Sequence, residues 1–167
     1  VRAAMLSAAL AGDAIDDAVL GFAASLAQQC FINEYVFRIG AGEAADAERL
    51  SAQVHEALAQ NSPIAPFALA VLGMDASLHA LPGARTLTTR RWPQSVAAVV
   101  AQQVAEPLQE QALRAGIPQL TPISDGVTAA VRQQYEENPY PRWVRLGVAP
   151  LPLRVLDDYI RQQFPTA

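Results

Sequence analysis

Few side chains in this sequence are of types that do chemistry. The two histidines, His55 and His79, fall on different elements, and neither lies at metal-ligand spacing from Cys30 or a carboxylate. His55 reads as a helix-surface residue, and His79 as a residue that packs or hydrogen-bonds within its own turn. The carboxylate pairs Asp16-Asp17, Glu136-Glu137 and Asp157-Asp158 are immediate neighbours. Adjacent residues on a helix point about 100° apart, so none of these pairs forms an acid–base dyad by itself. There is no GxSxG, Walker A or GxGxxG signature. All 12 basic residues are arginine, so Schiff-base and P-loop lysine chemistry are excluded in this chain. From these residues alone a self-sufficient enzyme is not expected, and no metal or catalytic residue is assigned.

Two polar residues invite a different role. In "QQCFINEYVF" the apolar side chains Phe31, Ile32, Tyr35 and Val36 lie on one side of a helix, with Cys30 and Phe37 on the other. Such a segment belongs at the centre of a core. Asn33 and Glu34 would then be buried, and buried polar groups need hydrogen-bond partners. They are either a satisfied structural pair or residues that face a ligand.

The elements that would position these residues are helical. Residues 1–11 read as a short helix ended near Gly12. The stretch from Gly12 to Gly42 reads as one long helix with Asp13 as N-cap, its face carried by Ile15, Val19, Phe22, Leu26 and Cys30. Phe22, Leu26, Phe31, Ile32, Tyr35 and Val36 are expected to be largely buried. A second amphipathic helix runs through Leu50, Val54 and Leu58 and is broken at Asn61-Ser62-Pro63. "PIAPFALAVLGM" reads as a short helix apolar all round. A turn follows at Pro82-Gly83. The helix from Pro93 to Gly116 should kink or restart at Pro107. A proline-punctuated linker leads to a helix capped by Ser124 or Asp125, with Val127, Val131 and Tyr135 at i, i+4, i+8. A final helix begins near Leu153 and ends before Pro165. No strand alternation and no internal repeat are found. The fold class is all-α: an irregular multi-helix bundle with a proline-rich extended arm near its C-terminus.

Bulk properties fit one domain with a sizeable core. The chain has 167 residues, 51% of them hydrophobic and 17% charged, with a net charge of −4. No basic stripe marks a nucleic-acid footprint. The longest apolar runs fall far short of the ~20 residues that span a bilayer, and no signal peptide is recognisable. A single cysteine excludes an internal disulfide and fits a reducing cytoplasm. The first residue, Val1, falls in mid-pattern, as expected of a piece of a longer chain.

The segment "YEENPYPRW", residues 135–143, departs from this background. Pro139 disfavours helix at Asn138. Pro139 and Pro141 fix φ and donate no backbone hydrogen bond, which stiffens an arm carrying Tyr140, Arg142 and Trp143. Arginine and aromatic residues dominate binding hot spots. The arm either packs onto its own helices as a strap or docks elsewhere.

"QYEENPYPRW", with "QQCFINEYVF" and "EPLQEQALRAGIPQLTPISDGV", resembles a region of bacterial tetratricopeptide-repeat methyltransferases, which have helical repeats first and a class I S-adenosylmethionine-dependent core last. The likeness covers residues 20–165 and places this chain between repeats and core. It implies a helical domain over 1–134, an arm and proline-rich linker over 135–152, and a terminal helix over 153–167 leading toward the core. It further implies a non-catalytic lid, substrate-selection or interdomain module. Tyr135, Glu136, Asn138, Tyr140, Arg142 and Trp143 would then be contact residues toward the core or a substrate. S-adenosylmethionine would be the cofactor of the parent protein, with none bound by this chain, which has no glycine-rich loop. The implied partners are the core and repeats of the parent, a protein substrate, or a second copy; nucleic acid and membrane are not expected. The alternatives are a free-standing protein- or peptide-interaction module and a small-molecule-binding helical bundle.

Overall fold

The most apolar short stretch of the sequence sits at the centre of the fold. In a computed structural model, residues 1–37, 39–114, 116–117 and 126–137 are described. Among them are seven α-helices, joined by short 3₁₀ and π turns, with no strand. The helices are α1 (Arg2–Ala11), α2 (Asp17–Ile32), α3 (Ala41–Ala59), α4 (Pro66–Leu72), α5 (Gln94–Val100), α6 (Glu106–Arg114) and α7 (Gly126–Glu137). The all-α reading therefore holds. None of these helices is long and apolar enough to cross a membrane.

Helix α4 begins with Pro66 at its first turn, where the missing N–H is no loss. Phe67, Leu69, Ala70, Val71 and Leu72 are all buried, because α1, α2, α3 and α5 surround it. Helix α1 packs on α3 and α4 and ends at Gly12, whose φ of 73° is the left-handed cap that glycine adopts without strain. Helix α3 turns Leu50, Val54 and Leu58 inward, as its period requires. Beyond it Arg90 donates to the Ser62 carbonyl at 2.6 Å and closes the Asn61-Ser62 break. Gly83, with φ 79°, makes the expected turn between two 3₁₀ segments.

Helix α2 departs from expectation in three ways. It starts later: Asp16, not Asp13, caps it, accepting from the Val19 N–H at 2.8 Å. It also ends earlier, at Ile32, so the segment through Gly42 is not one helix. And its buried face is the small one: Ala23, Ala24, Ala27 and Cys30, with Leu20 and Phe31 at its edges. Those small residues let α4 and α5 approach closely, which leaves the bulkier Val19 and Phe22 outside, with Phe22 53% exposed. Val36, at 80%, is likewise outside because the chain has left the helix before reaching it. Phe31 is buried as expected, whereas Leu26, Ile32 and Tyr35 are half-buried.

The expected break at Pro107 takes a particular form. Between α5 and α6 the chain makes a π turn over Ala101–Ala105. In a regular helix the Pro107 ring would strike the carbonyl four residues back, that of Gln103. The wider π turn relieves this clash and brings Gln102, Gln103 and Val104 inward together. The expected caps Ser124 and Asp125, and residues 138–167 with the final helix, lie outside the described residues.

Candidate functional site

Gln103 is the polar centre of the molecule and is fully buried. Its Nε2 donates to the carbonyls of Ala27 on α2 and Gly73 after α4, at 3.0 and 2.9 Å. Its Oε1 accepts from the Leu78 N–H at 3.4 Å and from the Tyr35 hydroxyl at 3.3 Å. An amide offers two donor hydrogens and two acceptor lone pairs, so all four sites are used. The two carbonyls can be met only by the NH₂ end, and this fixes the orientation of the side chain. One residue thus ties α2, the end of α4, the following 3₁₀ turn and the loop after α2 to the π turn.

Gly73 is the counterpart of that amide. Its backbone lies in the ordinary helical region, with φ −63°, but a Cβ there would stand 3.1 Å from Gln103 Oε1 and 3.3 Å from Nε2. At a relaxed site glycine-to-alanine adds roughly 0.4–1 kcal/mol of stability through the unfolded chain. Here we expect the opposite sign: Gly73→Ala should lower stability by about 1–3 kcal/mol through overpacking. Urea denaturation checks this, and an unchanged or raised midpoint would mean that the amide moves aside freely.

The loop that Tyr35 anchors is strained. Glu34 and Tyr35 both hold left-handed backbone, φ 52° and 56°, which costs non-glycine residues about 1–2 kcal/mol each. The Tyr35–Gln103 bond and the edge-on contact between the Phe31 and Tyr35 rings hold it in place. Past this turn Phe37 lies under the guanidinium of Arg2, 4.6 Å from ring centre to Cζ.

Arg2 in turn bridges two carboxylates, Glu43 on α3 at 3.1 Å and Asp75 after α4. The Asp75 side chain is only 5% exposed. Its Oδ1 meets Arg2, while its Oδ2 is buried without a partner. Burial pushes the Asp75 carboxyl above the ordinary carboxylate range; Arg2 opposes that rise and Glu43 adds to it. Burial likewise raises the Cys30 thiol, against the pull of Arg2. A thiol held in its neutral form is a poor nucleophile. These groups form a structural ion cluster and do not assemble a nucleophile with a base.

The residues singled out from the sequence are distributed as follows. Asn33 is exposed and accepts from Gln29 Nε2 at 3.1 Å, so it is not the buried polar group expected. Glu34 is half-buried in the strained turn. Both corrections share one cause: the helix ends at Ile32, so a helical face no longer sets their direction. Tyr135 and Glu136 lie in the last turn of α7, with Tyr135 exposed. Asn138, Tyr140, Arg142 and Trp143 lie outside the described residues. His55 is exposed, as expected, and His79 Nδ1 pairs with Ser77 Oγ at 2.6 Å within its turn, also as expected. No group of three His, Cys, Asp or Glu among the described residues could hold a metal ion. A shallow open groove of about 560 Å³ runs between α2 and α5, lined by Asp17, Leu20, Gly21, Gln94, Ser95 and Ala98 among others.

Sequence reasoning missed Gln103, Gly73, Arg2 and Asp75. Only Gln103 had a local signal, a Gln-Gln pair inside the apolar run "VAAVVAQQVAEP" one turn before a proline. No protein-family model, curated protein or solved structure matches this chain.

Proposed function

We propose that this chain is a non-catalytic helical domain of a cytoplasmic S-adenosylmethionine-dependent methyltransferase, acting as a lid, substrate-selection or interdomain module. One observation carries the reading furthest. The central polar side chain of the described body, Gln103, is spent on binding helices together, while α7 carries exposed Val127, Val131 and Tyr135 just ahead in sequence of Pro139, Tyr140, Pro141, Arg142 and Trp143. A body of this kind positions and docks, and the reaction belongs to another domain. The arm residues Tyr140, Arg142 and Trp143 are the contacts toward the methyltransferase core, and the cofactor is held by that core.

The test begins with the reading frame, which should continue past Ala167 into a strand, a glycine-rich loop and a helix. A stop codon within a few residues of Ala167 would sink the reading in favour of a free-standing interaction module. In the whole protein Trp143→Ala should cut methyl transfer about tenfold or more, since a buried tryptophan contributes several kcal/mol at a hot spot. Arg49→Ala should leave it unchanged, because Arg49 is exposed and, among the described residues, pairs with Asp46 on its own helix. A large drop in the melting temperature of the 167-residue chain on Trp143→Ala, with methyl transfer intact, would place Trp143 in the chain's own core and refute docking.

A further inference from the structure

We propose that α2 and α5 together form one face that docks a second copy of this chain, with α2 of each copy lying on α5 of the other. The two helices run side by side in the same direction: Asp17 and Gly21 meet Gln94 and Ala98 across the open groove, and further along Gln103, just past α5, reaches the Ala27 carbonyl. Phe22 lies opposite the buried side of α2 and is 53% exposed. Beside it, Ala98 of α5 and Ala101 of the π turn are exposed and small. No charged residue interrupts the chain from Ala18 to Asn33 or from Trp92 to Ala105. Gly21 sits within α2 at the groove, and a Cβ there would meet no described atom within 4 Å. Packing among the described residues therefore gives no reason for a glycine, which weakens a helix; close approach of a docked chain does.

Charge and size select the occupant. Asp17 lines one end of the groove, with Asp13 and Asp16 just before it, and Arg91 stands two residues before Pro93, which lines the same groove. Asp17 and Arg91 are exposed, and neither has an ion-pair partner among the described residues. A two-fold axis running between the helices and along them sets α2 of one copy on α5 of the other without a shift in level. Asp17 then meets Arg91 of the copy, once on each side of the axis, and the bulky Phe22 meets the small Ala98 and Ala101. Turning the axis across the helices sets α2 on α2 in opposite directions and brings Asp17 toward Glu34 of the copy, acid to acid. The face is about 24 Å long, from 16 residues at ~1.5 Å each, and two helices wide at a spacing of ~8–10 Å, so the dimer buries on the order of 1,000 Å² in total. That is the lower end of specific interfaces and fits a micromolar monomer–dimer equilibrium. The pairing does not depend on which domain the arm residues meet.

The test is sedimentation velocity of the full chain from the low micromolar to the submillimolar range, with melting temperature read on the same samples. The chain should pass from monomer to dimer across that range. Phe22→Arg should weaken association about tenfold or more without lowering the melting temperature, because Phe22 is exposed in the single chain. Asp17→Arg and Arg91→Glu should each weaken association several-fold. Combined, they should return it to within about twofold of the unsubstituted chain, since the double reversal restores unlike pairs across the axis. A chain that stays monomeric at every concentration, or a double reversal no stronger than either single one, would overturn the proposal. So would a Phe22→Arg chain that melts earlier while associating as before, which would mean that the chain's own residues cover Phe22.

Discussion

Gln103→Met should lower the unfolding free energy by about 3–5 kcal/mol, although the volume is nearly conserved and no charge is lost. The size follows from what the amide leaves behind. Leu78 N–H and the Gly73 carbonyl are buried groups that lean on it, and each costs roughly 1–3 kcal/mol when left unpaired. The Ala27 carbonyl loses its added bond from Nε2 as well. Gln103→Glu should be no milder, because a carboxylate would point an acceptor at two carbonyls. Tyr35→Phe removes one hydroxyl and should cost about 0.5–1.5 kcal/mol, an effect that shrinks when Gln103 is already methionine. Urea unfolding with an unchanged slope reads all of these. A loss below about 1 kcal/mol for Gln103→Met would show that the orphaned groups find other partners, and that Gln103 is not the pin joining the π turn to α2.

The elements legible in the sequence are those whose signals are local. Helix α1 stops where Gly12 offers a left-handed cap; α3 follows Leu50, Val54 and Leu58; α4 is apolar on every side and proves to be the central helix. The kink before Pro107 was legible as a break but not as a π turn, because the proline requires only that the regular helix yield, and the wider turn is the form that also carries Gln103 inward to its partners across the core. What failed depended on distant residues. The end of α2 at Ile32 requires two left-handed residues in succession, and no local propensity favours that at Glu34 and Tyr35. The Tyr35–Gln103 bond and the Phe37–Arg2 contact stabilise the turn from residues far away in sequence. The expected core face of α2 was chosen by side-chain size, whereas close helix packing buried the alanines and left Phe22 outside. The Arg2–Asp75 pair joins residues 73 apart in sequence, and neither stands in a pattern that marks it.

That pair carries the second large effect. Arg2→Met should cost about 3–5 kcal/mol at neutral pH, since it leaves the buried Asp75 carboxylate without its cation. The loss must depend on pH in a definite direction. Burial already raises the Asp75 carboxyl, and Arg2 is the group that holds the rise in check. Removing Arg2 lifts the folded-state pKa further above the unfolded value of ~3.9. A folded carboxyl with a raised pKa binds more protons than the unfolded one, so stability falls as pH rises through the window between the two values. Below the unfolded pKa the carboxyl is neutral in both states and that part of the deficit vanishes. The difference between Arg2→Met and the unsubstituted protein should therefore be small near pH 4 and widen toward neutrality. Adding Asp75→Asn removes the stranded charge and should recover most of the loss at neutral pH, with Glu43 still free to meet solvent through its partial exposure. Denaturation curves for the single and double variants at both pH values decide it. Deficits that simply add, or an Arg2→Met deficit that does not change with pH, would mean that Arg2 stabilises the fold through its contact with Phe37 and not through Asp75.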